Sequence, residues 1–156
     1  MTKLAVIIMI LIFTLLLECS ITKHKCLLHH GFDYVKGACF CYRYIPKKLD
    51  YQGAVDSCAS HNSYLAKVNR GLIQHTLEHI LAQKHDGGVR IQGIRDSGKT
   101  WRYNNGKTLE YFNWNEHGHQ PDLKPNEVTL LIKKSQAYRW HDDFMYRNLS
   151  SVCQIY

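Results

Sequence analysis

The pattern of apolar and polar positions divides the chain into distinct regimes. After Met1-Thr2-Lys3 an apolar run extends from Leu4 to Leu17 and ends in Glu18-Cys19-Ser20. A basic start, an apolar centre and a small-residue end predict a secretory leader over residues 1–20. The run is shorter than the ~20 residues that cross a bilayer, so no membrane span is expected. Residues 21–45 read as irregular and aromatic, except that Phe40-Cys41-Tyr42-Arg43-Tyr44 alternates as a short strand does, with Pro46 ending it. The period then changes. Asp50 is placed to cap a helix carrying Tyr51, Ala54, Val55 and Cys58 at three-and-four spacing. Tyr64 to Val68 forms a compact apolar segment, and Asn69 is placed to cap a second helix, roughly Gly71 to Lys84. There Leu72, Ile73, Leu77, Ile80 and Leu81 form an apolar stripe, with Gln74, His75, Glu78 and His79 opposite. Asp86-Gly87-Gly88 breaks it, and a β-rich half follows: Val89 to Ile94, Thr100 to Tyr103, a turn at Asn104-Asn105-Gly106, Leu109 to Trp114, and the apolar run Val128 to Ile132.

Helices followed by short strands predict an α+β fold, and 156 residues suit one domain, here 21–156 after the leader. A leader places the chain outside the cell, where cysteines oxidise. Five of them lie beyond it: Cys26, Cys39, Cys41, Cys58 and Cys153. An odd number leaves one thiol free or bridged to another chain, so the oligomer expected is either disulfide-linked or non-covalent. The net charge of +7 favours anionic partners such as sulfated glycans, acidic membranes or microbial surfaces, although scattered basic residues also make an ordinary soluble surface. No nucleic-acid partner is expected of a secreted chain. Asn148-Leu149-Ser150 is a glycosylation sequon at Asn148.

Candidate chemistry gathers between Tyr111 and Asp143. Trp114 precedes Gln120-Pro121-Asp122, and Trp140 precedes His141, Asp142 and Asp143, so two groups of oxygen-bearing side chains each follow an aromatic anchor. Gln-Pro-Asp alone is also an ordinary turn sequence. His117, His119 and His141 near these acids form a set better suited to zinc than to calcium. His75-Thr76-Leu77-Glu78-His79 matches the H-x-x-E-H pattern of one zinc peptidase class, in which Glu78 would act as base, but a solvated helix face explains the same residues. There is no G-x-S-x-G, phosphate-loop or zinc-finger pattern, and no enzyme is expected.

In order along the chain, these elements resemble the C-type lectin-like domain over about Cys26 to Tyr156. The resemblance is carried by Asp50-Tyr51-Gln52-Gly53-Ala54 through Cys58, by Leu65-Ala66-Lys67-Val68, and by Ile91-Gln92-Gly93-Ile94 in the place of W-I-G-L. Trp101-Arg102-Tyr103, Tyr111-Phe112-Asn113-Trp114, Gln120-Pro121-Asp122 and Trp140-His141-Asp142 then follow. It implies a Cys58–Cys153 bridge, and a second pairing Cys26 with Cys39 or Cys41. It further implies a calcium site using Gln120, Asp122 and Asp142, with a cis bond at Pro121, and a carbohydrate site using Gln120, Asp122, His141 and Asp142. Amide followed by acid resembles galactose or N-acetylgalactosamine selectivity, and the partners implied are glycans or glycoproteins.

Departures from the family pattern weaken the calcium expectation. Pro125 stands in place of an acidic ligand and His141 in place of an amide, and nitrogen suits calcium poorly. Glu127 and Met145 stand where the family has a second bridge at the base of the loop. Glu127 and Asp143 are the remaining oxygen donors, and calcium should bind weakly or not at all. The alternative function is calcium-independent binding of a protein or an anionic surface.

Overall fold

The computed structural model describes residues 2–97 and 99–156. Met1, the first residue of the expected leader, lies outside them. Helix α1 (Lys3–Leu27) carries the apolar run and continues past the expected cleavage point. By length and composition it suffices to cross a membrane, a property that N-terminal signal sequences share.

Strand β1 (Asp33–Val35) pairs with β2 (Phe40–Leu49), which continues through Pro46. The proline is accommodated because the β2–β8 register shifts between Ile45 and Leu49, where a bulge needs no donor from it. Helix α2 (Tyr51–Ala59) starts at Asp50, whose carboxylate accepts the Gly53 N–H at 2.7 Å. After β3 (Tyr64–Leu65) comes helix α3 (Gly71–Ala82), capped by the extended backbone of Arg70 and not by the Asn69 side chain. The Arg70 guanidinium donates instead to the Ala38 carbonyl at 3.1 Å.

Two positions on α3 depart from the expected stripe. Leu72 is exposed, whereas Gln74 is buried because its amide meets the Trp140 indole. Beyond α3 run β4 (Gly88–Arg95), β5 (Trp101–Arg102), β6 (Glu127–Lys133), β7 (Arg139–Phe144) and β8 (Leu149–Ile155). The expected strand Leu109 to Trp114 is absent as a ladder; bridges at Thr108 and Trp114 remain, and Tyr111, Phe112 and Trp114 pack their rings around Trp140.

The sheet runs β1-β2-β8-β4-β6-β7, with β3 against β8 and β5 against β4; β4 and β8 are parallel and the other pairs antiparallel. Central β4 is covered on both faces. Val89 and Ile91 enter the main core with Leu130, Ile132, Trp140 and Leu77, while Arg90 and Gln92 are buried on the other side. Gln92 is satisfied there, donating to the Leu65 carbonyl at 2.9 Å. A Cβ at Gly93 would overlap Leu130 Cδ1, so any larger residue there forces the buried Leu130 side chain to shift. Among these core residues Leu77, Ile91, Leu130 and Trp140 are fully buried, each worth roughly 1.5–3 kcal/mol relative to exposure.

Three disulfides close the fold. Cys58 on α2 pairs with Cys153 on β8, their Cα atoms 5.3 Å apart. Cys26 pairs with Cys41, not with Cys39, and Cys39 pairs with Cys19. Strand geometry explains the choice: Cys41 lies on β2 facing the buried end of α1, whereas Cys39 sits in a left-handed turn just before the strand. Cys19 reaches it because it is seven residues, about two turns, before Cys26 and so shares its helix face. The odd count expected for residues 21–156 therefore becomes an even one in the full chain.

Candidate binding site

The site is built on the loop between β5 and β6, closed over the edge strand β7. Asn115 organises the loop. Its side-chain oxygen accepts the Gly118 N–H, its carbonyl accepts the Gln120 N–H at 3.0 Å, and its own N–H donates to the Trp140 carbonyl at 3.1 Å. Trp140 is in turn fixed by burial, so the loop is registered against β7 through the core. The Gln120–Pro121 bond is cis.

Gln120, Asp122 and Asp142 come together as the resemblance implies. Gln120 Oε1 accepts the Asp142 N–H at 3.3 Å, and the Asp142 carboxylate accepts the N–H groups of Asp122 and Leu123 at 3.2 and 2.9 Å. Glu127 joins them: Asp122, Glu127 and Asp142 each offer an oxygen within 4.8 Å of the others. Glu127 opens β6 where a ladder irregularity falls between Glu127 and Thr129, and its backbone is held by Arg95, which donates to the carbonyls of Lys124 and Glu127 at 2.8 and 3.0 Å. His141 is half-buried, in hydrogen-bond contact with Asn115 Nδ2 at 3.3 Å. With the acids and Gln120 it lines a cavity of about 370 Å³. Pro125 is exposed on the loop.

Asp143 does not join the group. It lies on the inner side of β7 between Arg147, 3.1 Å away, and the fully buried Arg90, 3.6 Å away. Arg90 also donates to Thr129 Oγ1 at 2.5 Å and to the carbonyls of Phe144 and Arg147 at 3.3 and 2.8 Å. Those bonds hold the segment after β7, where Met145 stands in the place of a cysteine of the family's loop-base bridge. His117 and His119 are exposed on the loop, and among the described residues no group of three metal-binding side chains other than Asp122, Glu127 and Asp142 assembles. The peptidase pattern also fails as a catalytic set: Glu78 approaches His75 from the Nδ1 side, while the two imidazoles meet through their Nε2 atoms.

The electrostatics follow from crowding. Lys124 Nζ lies 2.5 Å from Asp122 Oδ2, and this bond lowers the Asp122 carboxyl to about 2. Burial first, then the adjacent Asp122, raises Glu127 to about 7. Burial lowers His141 below the usual histidine value, with Lys133 adding to the effect, so the neutral ring is favoured. Asn115, Lys124 and Arg90 were not singled out from sequence. Asn115 alone left a local signal, an Asn just before a one-turn helix (Glu116–Gly118).

A loop presenting acids over the edge of a mixed sheet, with two helices packed against that sheet, is the architecture on which the comparisons bear. Residues 47–155 match the sequence profile described as Lectin C-type domain, and the chain belongs to that family. No curated protein matches the chain. Among solved structures, similar folds include a Ca2+-dependent type II antifreeze protein in its Ca2+-free form (TM-score 0.70, 18% identity, 81% of this chain and 98% of that one). A second is the SPL-1–GlcNAc complex (TM-score 0.70, 18% identity, 81% and 93%). A third is the Ca2+-independent C-type lectin SPL-2 from Saxidomus purpuratus (TM-score 0.66, 19% identity, 81% and 91%). The fold of this chain is thus shared by calcium-dependent and calcium-independent proteins.

Proposed function

We propose that the chain is a secreted carbohydrate-binding domain, not an enzyme, that takes galactose-type glycans at Gln120, Asp122, His141 and Asp142 with weak help from calcium. The observation that carries the reading is the convergence of three carboxylates beside the Gln120 amide oxygen. These hard oxygen donors fit calcium, and burial first, then Asp122, raises the Glu127 carboxyl to about 7, so an arriving cation would have to displace its proton. Asp122, Glu127, Asp142 and Gln120 would hold the ion. Bound calcium would supply coordination positions for paired sugar hydroxyls, while the same carboxylates and the amide hydrogen-bond those hydroxyls and set their orientation.

The pH dependence of stability is set here by Glu127. Its folded value lies above the ordinary carboxyl value of 4.5, so the ion-free protein loses stability as pH rises from that value through about 7. Calcium takes the deprotonated form. The thermal shift caused by millimolar calcium should therefore grow between pH 6 and 8 and vanish in Asp122→Ala. Scanning calorimetry at both pH values checks this, and a flat response to calcium at pH 8 removes the calcium reading. Retention on immobilised galactose, released by a chelator and lost in Asp122→Ala, tests the sugar reading directly.

A second reading, calcium-independent binding of a protein or anionic surface, is favoured by Lys124. Its ammonium already sits on Asp122 and supplies positive charge within the acid group. Binding that falls steeply between low and high salt, with no response to calcium, selects it.

Secretion has a covalent consequence. Cleavage of the leader near Ser20 removes Cys19 and leaves Cys39 without its partner. The mature chain should then take one alkyl group at Cys39 without prior reduction, or run as a disulfide-linked dimer on a non-reducing gel. A secreted chain that retains Cys19 and resists alkylation overturns that boundary. Asn148 is exposed while Ser150 of the same sequon is buried in β8, so any glycan there is added before folding completes.

A further inference from the structure

We infer that His75 and His79 form a separate site for a divalent transition-metal ion of the zinc, nickel or copper class, on the solvent face of α3. The two residues are four apart on one helix, which stacks them on the same face. Their Nε2 atoms lie 3.0 Å from each other, with the rings edge to face at 82°. Two imidazole nitrogens bound to one zinc ion at ~2.0–2.1 Å stand about 2.9 Å apart at a right angle and about 3.3 Å apart at the tetrahedral angle. The pair therefore already has the bite of a chelate, and no helix turn has to move.

The donor atoms are also oriented. Glu78 Oε2 lies 3.5 Å from His75 Nδ1, on the side of the ring away from His79. Glu78 stands in ion-pair range of Nδ1 and so favours the Nδ1–H tautomer, in which His75 Nε2 accepts from His79 Nε2 and becomes a metal donor once that shared proton is displaced, an outer carboxylate orienting a ligating histidine. Glu78 is itself held. Its Oε1 accepts from Gln74 Nε2 at 2.9 Å, and Gln74 also donates to the Tyr138 carbonyl and accepts the Trp140 indole N–H at 2.8 Å. Gln74 and Trp140 are buried, so the orienting chain is anchored in the core. His79 presents Nε2 to the same point, and a shift of its proton from Nε2 to Nδ1 lets it ligate without loss of a charge.

The His75 side chain is 67% exposed, so the remaining coordination positions open to solvent and take water or a donor from another molecule. Imidazole nitrogen selects against calcium, which keeps this site distinct from the acids of the loop.

The test is calorimetric titration of the untagged, metal-stripped full chain with zinc chloride near pH 7.5, repeated with nickel. One equivalent should bind, and His75→Ala and His79→Ala should each lose at least tenfold in affinity with unchanged circular dichroism. Glu78→Gln should lose about tenfold, the usual effect of removing an outer partner. His117→Ala with His119→Ala, and millimolar calcium, should leave the zinc isotherm unchanged. Zinc binding that survives both His75→Ala and His79→Ala, or no binding by the wild-type chain, overturns the proposal.

Discussion

Replacing Cys58 and Cys153 together by alanine lowers the unfolding free energy by about 4–5 kcal/mol. The bridge joins residues 95 apart in sequence, and in the chain-entropy model a closed loop of about that size restricts the unfolded chain by ~4.7 kcal/mol. Both sulfurs are completely buried between α2 and β8, so alanine leaves no unsatisfied polar group but does leave a small void. At roughly 2–4 °C per kcal/mol for a chain of this size, the melting temperature falls by about 10–15 °C. Thermal denaturation followed by circular dichroism measures it. A fall of only a few degrees would show that packing between α2 and β8 holds without the bridge.

Arg90→Met produces the other large loss, about 3–5 kcal/mol, by a different route. The guanidinium is fully buried, and burial lowers its pKa, so the charge is held there at a cost that its partners must offset. Methionine fills much of the volume but leaves Asp143 buried with only Arg147 beside it, and removes a donor from the carbonyls of Phe144 and Arg147. The double variant Arg90→Met with Asp143→Leu separates the terms. It should recover a large part of the loss, because no buried charge then remains uncompensated. If the double variant is as unstable as the single one, the damage comes from the two carbonyls and not from the carboxylate.

Arg90 also marks how far the fold was legible in the sequence. Helix α2 could be read because its signals are local: an Asp cap, apolar residues at helical spacing, and a cysteine aimed inward. The Gln120, Asp122 and Asp142 positions could be read because they carry motifs. Arg90 could not be read, since an arginine inside an apolar strand pattern looks like an outward-facing residue until the far side of the sheet is seen to be covered by α2. Gln74 failed for the same reason in reverse: helix periodicity placed it on the polar face, and the Trp140 indole drew it inward. Leu109 to Trp114 had the composition of a strand, but its Tyr111, Phe112 and Trp114 rings pack around the buried Trp140 instead. Glu127 was visible as an acid in a cysteine's place. Only the geometry brings it to Asp122. The pairing of Cys39 was obscured because its partner lies inside the expected leader.

The absent second bridge changes which surroundings the binding loop responds to. Its base is held by the Arg90, Asp143 and Arg147 charges and by hydrogen bonds to Asn115, none of which can be reduced. A thiol-rich fluid that opened Cys58–Cys153 would soften the body of the domain and leave the loop's own fastenings chemically intact. Acid works the other way, protonating the carboxylates that close the loop while every sulfur bridge survives. Reduction and acidification therefore act at separable places, one on the scaffold and the other on the loop.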